Sequence, residues 1–478
     1  VLWADPSPVV EEGAPRPSRD LAVCADFGST FTKTALVDLA DGRLVATASH
    51  RTTLPDGAGA DLLDGLDACR AVLAEADPAA ADAPVLACSS AGGGLRIAVV
   101  GNEELVTAEA GRRVALSSGG RVVAVLAGGL DDERYAALVA AEPDVLLLVG
   151  GTDGGNAARL EADAAALAVR GWALPVVVAG DVTARDRVVA TLAGAGVPVV
   201  PADNVVPRIG VLAPESARHA IREVFLSHVI GGKHLSTRAE LGAIVRGATP
   251  DVVLDGVEQL AGLVGDVVVV DVGGATTDVH SAVEPDPDTT RSGAGGLSRE
   301  VVASTPLTRT VEGDLGMRWS APSTVAAALE ANLPLPRDVE GAATRRQQGP
   351  GLLPTEPADT ELDEALARTA VVLALRRHAG RARVVLGPDG RVVERSGKDL
   401  REVRLLVGSG GVLRHGRPGV ADRVLGAALA DPGDWQLPRG ARVVVDDRHV
   451  LAWAGLLAGE HPTAAHRLLE RWLATARG

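Results

Sequence analysis

The chain has 478 residues, 46% of them hydrophobic, which is more than one ordinary core absorbs, so two or more domains are expected. A formal charge of −15 provides no basic excess for neutralising a phosphate backbone, and an aromatic content of 2% provides few stacking surfaces; both argue against nucleic-acid binding. Three scattered cysteines, Cys24, Cys69 and Cys88, read as the reduced thiols of a cytoplasmic chain, and no run approaches the roughly 18 apolar residues of a membrane helix.

Residues 1–20, with Pro6, Pro8, Pro15 and Pro17 and no basic-then-apolar signal pattern, read as a flexible leader. The segment LAVCADFGSTFTKTALVDL then predicts a strand at Leu21–Phe27, a turn of small residues and a second strand at Thr34–Leu39. A turn at Asp41 and Gly42 leads into a third strand, Arg43–Ala48. Helical spacing covers Asp61–Glu75, and the strand Val85–Ala87 ends in the turn Cys88–Gly94. From about 95 to 206 strands alternate with Ala-rich helices, at Val122–Leu126, Val145–Val149, Val176–Ala179 and Val197–Val200, which predicts parallel βα units, the last at an edge because of Pro198. Pro214–Ile230 reads as a helix and Val267–Val270 as a strand running into a Gly-rich turn. Residues 284–299 and 334–359 read as long loops. A helix is expected over Thr360–Gly380, opened by a capping box of Thr360 and Asp363 with Leu362, Leu366, Ala370 and Leu373 on one face. The strand Val403–Val407, the turn Gly408–Gly411, the strand Val443–Val445 and the helix Val450–Leu457 complete the order.

One pattern occurs twice. VCADFGSTFTKTALVD and VVVDVGGATTDVHSAV share an apolar strand, an Asp, one residue, a Gly, small residues and a second strand, about 245 positions apart. ATP hydrolysis needs backbone N–H groups around the phosphates, a cation to offset their charge, and a placed water. Turns of Gly, Ser and Thr supply closely approaching amides, and an Asp at a strand end can hold hydrated magnesium. The first copy supplies Asp26, Gly28, Ser29, Thr30, Thr32 and Lys33; the second supplies Asp271, Gly273, Gly274, Ala275, Thr276, Thr277 and Asp278. Either hairpin alone is an ordinary turn; the pair in one order is the stronger signal. Glu312 and Asp314, after the second copy, are candidates for positioning the attacking water. Arg376, Arg377 and His378 read as charges at a helix end. GGTDGGN at 150–156 misses the dinucleotide fingerprint and leaves two readings open, an anion-binding nest or a tight structural turn. The Walker P-loop needs Gly-Lys followed by Ser or Thr and is excluded, because Lys33 follows Thr32 and the other two lysines, Lys233 and Lys398, precede His234 and Asp399.

From Leu21 onward the chain resembles the superfamily of actin, heat-shock chaperone and sugar-kinase ATPases. DFGSTFTK is similar to its first phosphate motif, DVGGATTD to its second, and VGSGGVLRH, with Gly408, Ser409, Gly410 and Gly411, to its adenosine motif. A narrower resemblance is to the glutamate mutase accessory (GlmL/MutL) family, carried by SSAGGGLRI, LLVGGTDGGN, SHVIGGKHLS, DVGGATTDVHS and RTVEGDLGMRWSA. The resemblance implies an α/β protein of two ribonuclease-H-like domains, 21–250 and 251–478, around a nucleotide cleft, with a βα insertion in the first. It implies ATP and Mg as ligands, with Asp26 and Asp271 holding the metal through water, and a chaperone or reactivating role toward an adenosylcobalamin-dependent mutase. A small-molecule kinase of the same fold, or a nucleotide-dependent interaction protein with little turnover, are the alternatives.

Overall fold

The computed structural model describes residues 20–54, 60–91, 94–230, 235–284, 305–387, 390–430 and 432–476; nearly all of the leader and of the predicted loop 284–299 lies outside them. The chain divides into two compact units. The first contains the described residues as far as Gln259 together with Leu451–Arg471, and the second contains those from Leu260 to Val450 and from Trp472.

Ten strands belong to the first unit: β1 (Leu21–Phe27), β2 (Phe31–Asp38), β3 (Arg43–Arg51), β4 (Val85–Ser89), β5 (Arg96–Gly101), β6 (Arg121–Ala127), β7 (Val145–Leu148), β8 (Val176–Val178), β9 (Val199–Pro201) and β10 (Val245–Ala248). They form two sheets. The first has the order β10-β4-β1-β2-β3, with β1 antiparallel to β2, β2 antiparallel to β3, and β4 and β10 running parallel to β1. The second is the predicted insertion, an all-parallel sheet of order β6-β5-β7-β8-β9. Alternation places its side chains on two faces. Ile97, Val99, Val145 and Leu147 share one core with Ala25, Phe27 and Ala87 of the first sheet, while Ala98, Val100, Leu146 and Leu148 pack against Leu138, Leu160, Leu167 and Leu192 of its own helices. β9 lies at the edge, where the proline-containing run was expected.

The second unit contains β11 (Val267–Val272), β12 (Thr277–Ala282), β13 (Leu307–Glu312), the hairpin β14 (Arg381–Gly387) and β15 (Gly390–Ser396), β16 (Leu405–Ser409) and β17 (Arg442–Val445). Its main sheet has the order β13-β12-β11-β16-β17, again with three antiparallel strands followed by two parallel ones. Both units therefore carry the 3-2-1-4-5 ribonuclease-H-like sheet, each opened by one copy of the repeated hairpin. Val268, Val270, Val272 and Val279 pack on Ala367, Ala370, Val371 and Ala374 of the helix Pro357–His378.

The C-terminal helices return to the first unit. Helix Val450–Ala458 crosses helix Thr249–Val264 at two glycines, since a Cβ on Gly256 would lie 2.0 Å from the Leu451 carbonyl oxygen and one on Gly455 would lie 1.9 Å from that of Val252. Helix Pro462–Thr475 meets the β2–β3 turn, where Arg471 Nε donates to the Asp41 carbonyl at 2.9 Å and Arg467 donates to that of Ala40.

Two local expectations are corrected. The predicted loop 334–359 contains the helix Val339–Gln348, whose Ala342, Ala343 and Arg346 are buried. Its Arg346 forms an ion pair with Asp363 at 2.5 Å, so packing overrides the polar composition. The helix expected from Thr360 starts at Pro357 instead, because proline suits the first turn, and Thr360 lies inside it.

Candidate functional site

In the first unit the hairpin sets Asp26 directly opposite Lys33, with Lys33 Nζ 3.4 Å from Asp26 Oδ2. The Asp26 carboxylate is buried, and its Oδ1 accepts from Thr249 Oγ1 at 2.7 Å, at the end of β10, and from Cys88 Sγ at 3.6 Å, at the end of β4. Burial and the Asp26 charge push the Cys88 thiol up, so it serves as a neutral donor. The turn closes with Gly28 N–H donating to the Phe31 carbonyl at 3.1 Å. Thr52, just beyond β3, ties the turn from outside: its hydroxyl donates to the Gly28 carbonyl at 2.7 Å and its N–H to that of Thr30 at 3.0 Å.

The second unit repeats this construction. Asp271 stands opposite Asp278, and Gly273 N–H donates to the Thr276 carbonyl at 2.9 Å. The residues following β13 tie this turn too, with Met317 N–H donating to the Gly273 carbonyl at 3.1 Å, Arg318 N–H to Gly274 at 2.8 Å and Ser320 Oγ to Ala275 at 2.6 Å. In both turns the carbonyls are drawn into the protein. The N–H groups of Ser29, Thr30, Gly274 and Ala275 donate to no group among the described residues. Amides grouped in this way, with their carbonyls turned away, favour an anion.

Other elements complete the second half. Register places Ser409 beside Asp271, and a Cβ on Gly410 would lie 2.3 Å from the Val272 carbonyl oxygen, so the Gly408–Gly411 turn sits against the end of β11. Gly410 also has φ +117°, which a side chain would disfavour. Glu312 is the cross-strand neighbour of Thr277, and a Cβ on Gly316 would meet Ala275 C at 2.7 Å, which brings Glu312, Gly313 and Asp314 to the same turn. Arg377 joins both acids: Nη1 donates to Glu312 Oε2 at 2.7 Å and Asp314 Oδ1 at 2.6 Å, and Nη2 to Asp314 Oδ2 at 2.8 Å. Its guanidinium holds the Asp314 carboxyl below the usual carboxylate range. Behind Asp278, Arg309 Nη2 donates to Oδ2 at 2.7 Å, while Oδ1 has no partner among the described residues. Next to this pair, burial and the Arg309 charge keep His280 neutral.

Two of the predicted contact residues are enclosed by the protein. Thr32 and Thr277, at equivalent places in the two hairpins, are fully buried. Thr32 Oγ1 lies 3.4 Å from Thr52 Oγ1, and its strand face packs toward the helix Leu62–Ala76. Sequence reasoning missed Thr52, Cys88, Thr249, Arg309 and the tying role of Met317–Ser320; Arg377 was read as a helix-end charge. Among the described residues no group of three or more His, Cys, Asp or Glu forms a metal cluster, and no helix is long and apolar enough to cross a membrane.

The family model described as MutL protein matches residues 22–473. Protein MutL of Clostridium tetanomorphum is 34% identical over 468 residues, covering 95% of this chain and 99% of its own length. The chain belongs to the MutL family. Among solved structures, nucleotide-free acetone carboxylase is similar with TM-score 0.39 and 16% identity over 92% of this chain and 70% of its own. Component A of (R)-2-hydroxyglutaryl-CoA dehydratase from Acidaminococcus fermentans has TM-score 0.29 and 10% identity over 93% of this chain and 99% of its own.

The MutL-like segments outside the hairpins can now be placed. In LLVGGTDGGN, Gly154 N–H donates to Asp181 Oδ1 at 3.1 Å, Gly155 N–H to the Thr152 carbonyl at 2.9 Å and Asp153 N–H to that of Pro207 at 3.1 Å. These amides are spent within the chain, which favours the structural-turn reading over the anion nest. The start of SSAGGGLRI continues β4, and Ser90 N–H donates to the Phe27 carbonyl at 2.9 Å, beside the first hairpin. Of SHVIGGKHLS, residues 231–234 lie outside the described residues; Ser236 Oγ donates at 2.8 Å to Asp61, the cap of helix Leu62–Ala76.

Proposed function

We propose that this MutL-family protein binds ATP with magnesium and hydrolyses it, in service of an adenosylcobalamin-dependent mutase of the glutamate mutase type. The observation that carries the ATP reading is the repeated turn: Ser29, Thr30, Gly274 and Ala275 offer four uncommitted amides while the neighbouring carbonyls are tied back by Thr52 and by Met317–Ser320. Each turn is suited to an anion, and phosphate is the proposed one. Lys33, paired with Asp26, adds a positive charge beside the first turn.

The residues fit magnesium unequally. Both oxygens of Asp26 have partners, Thr249 and Cys88 on one and Lys33 on the other. Asp271 and Asp278 face each other across the hairpin as like charges, and Asp278, whose Oδ2 accepts from Arg309, keeps Oδ1 without a partner among the described residues. Asp271 and Asp278 would hold the hydrated ion, whose role is to offset phosphate charge. In hydrolysis the water oxygen bonds to the γ-phosphorus as the bond to the β,γ-bridging oxygen breaks. ADP keeps that electron pair, and the two water protons leave with the phosphate. Asp314, held ionised by Arg377, orients the water as an acceptor and need not take its proton.

The test is ATP turnover by the purified protein with and without magnesium, compared with Asp271→Asn. The expected result is metal-dependent turnover that falls at least ~100-fold in the variant, in the range of a lost electrostatic contact; equal turnover in the two proteins rejects the assignment. The role toward a mutase rests on family membership. It predicts that an adenosylcobalamin-dependent mutase inactivated by turnover recovers activity when this protein and ATP are added, and does not with ADP alone.

A further inference from the structure

We propose that Arg377 is a positioning residue for hydrolysis, fixing Glu312 and Asp314 as a pair beside the Gly273–Ala275 turn; this rests on the ATPase reading above. Arg377 is the next-to-last residue of the helix Pro357–His378, where a cation stabilises the exposed carbonyls without any partner. Its guanidinium does something more specific. It makes three bonds of 2.6 to 2.8 Å to two carboxylates that lie on either side of Gly313. A fork of this kind sets the angle of a carboxylate as well as its charge.

The pair is rigidly tied to the turn. Glu312 ends β13 opposite Thr277, the first residue after the turn region. Ser320 Oγ donates to the Ala275 carbonyl at 2.6 Å and approaches the Gly313 carbonyl at 3.0 Å, and Ser323 Oγ donates to the Asp314 carbonyl at 2.7 Å. The backbone around both acids is therefore fixed from one side and their side chains from the other. The two acids differ in access: the Asp314 side chain is 45% exposed and that of Glu312 13%. Asp314 is the one open to a water, and Glu312 is the inner anchor of the fork. The helix supporting Arg377 is itself anchored, because His378 Nε2 lies 2.8 Å from Ser281 Oγ and His378 Nδ1 lies 3.0 Å from Thr310 Oγ1. Arg377 acts through Asp314, so its loss should lower the rate of the chemical step more than ATP binding.

Arg377→Gln, Arg377→Lys, Asp314→Asn and the double variant Arg377→Gln/Asp314→Asn are compared with the wild type for kcat and KM of ATP turnover, with unfolding midpoints measured alongside. Arg377→Gln is expected to lower kcat by ~10- to 100-fold with KM changed less than about threefold, in keeping with a misplaced group near the reacting atoms. Arg377→Lys, keeping the charge without the fork, is expected to recover part of that loss. The double variant should be little slower than Asp314→Asn alone. An unchanged kcat in folded Arg377→Gln, or losses that multiply in the double variant, overturns the inference while leaving the ATPase reading in place. Absence of turnover in the wild type overturns both.

Discussion

The tie between the second turn and the chain after β13 can be tested by adding one methyl group. Gly316→Ala places a Cβ 2.7 Å from the Ala275 carbonyl carbon and 2.8 Å from the carbonyl oxygens of Ala275 and Gly274. All three are backbone atoms, so no side chain can swing aside. Ordinary contact begins near 3.4 Å, which requires the Gly313–Arg318 segment to retreat from the turn by about 0.7 Å. The Met317 and Arg318 N–H bonds to Gly273 and Gly274 stretch accordingly. Overpacking of this kind costs about 1–3 kcal/mol. A retreat of this size also moves Asp314, and misplacement by an ångström costs up to ~100-fold in rate, so a loss of ~10- to 100-fold in ATP turnover is expected. Gly313→Ala is the stability control, since nothing lies within 4 Å of the added Cβ. Urea unfolding followed by circular dichroism reads the stability and phosphate release reads the rate. If Gly316→Ala unfolds at the same midpoint as Gly313→Ala and turns over ATP at the wild-type rate, the close packing of Gly316 on the turn is not real.

Other outcomes follow from the same geometry. Arg423 and Arg417 hold Glu364 down to about 2, so the second unit has this contribution in full above the ordinary Glu value of 4.5 and loses it as pH falls toward 2. With the arginines partly exposed, the contribution is about 2 kcal/mol, and Glu364→Gln should flatten that part of the stability–pH curve measured by denaturant unfolding. His280 and His378 are held neutral by burial, well below the ordinary value of 6.5. Unfolding therefore takes up protons as pH falls below 6.5, and stability should drop by up to ~1.4 kcal/mol per histidine per pH unit until other groups intervene. Gly256→Ala and Gly455→Ala each drive a Cβ into a backbone carbonyl and should destabilise the first unit by about 3 kcal/mol or more, whereas Gly262→Ala, in the same helix as Gly256 with open space around it, should stabilise by up to about 1 kcal/mol in thermal unfolding.

What could be read from the sequence was local or repeated. The two hairpins announce themselves because strand alternation, the Asp and the Gly fall within eight positions, and because the pattern returns at a fixed offset. The insertion announces itself through alternating apolar runs and Ala-rich helices. Thr52 and Met317–Ser320 could not be found in the same way, because all five of their ties to the turns end on backbone carbonyls and three of them start from backbone N–H groups, which leave no mark on residue type. Arg377 looked like a helix-end cation since its acids lie more than 60 positions away. The C-terminal helix Pro462–Thr475 shows an amphipathic pattern but nothing that names the Asp41–Gly42 turn as its partner. Helix Val339–Gln348 was hidden by charged and Gln residues whose cost is offset by the buried Arg346–Asp363 pair.

The duplicated sheet has kept its backbone and changed its charge. Offset by 245 positions, Asp26 corresponds to Asp271, Gly28 to Gly273 and Thr32 to Thr277, yet Lys33 corresponds to Asp278. The first hairpin thus carries an internal ion pair across its rung, and the second places two carboxylates on the equivalent rung. Arg309 steadies Asp278 from behind through Oδ2 and leaves Oδ1 without a partner among the described residues. A hairpin built only for structure would gain from replacing one of two facing carboxylates, because like charges directly opposite destabilise a strand pair. Their presence beside a turn of uncommitted amides is better explained by a ligand that brings both a cation and an anion, and magnesium with a polyphosphate is such a ligand. Magnesium with a polyphosphate should therefore raise the denaturant midpoint of the protein by an amount that Asp278→Asn reduces, whereas Lys33→Met should lower the stability of the first unit by leaving Asp26 buried without its cation.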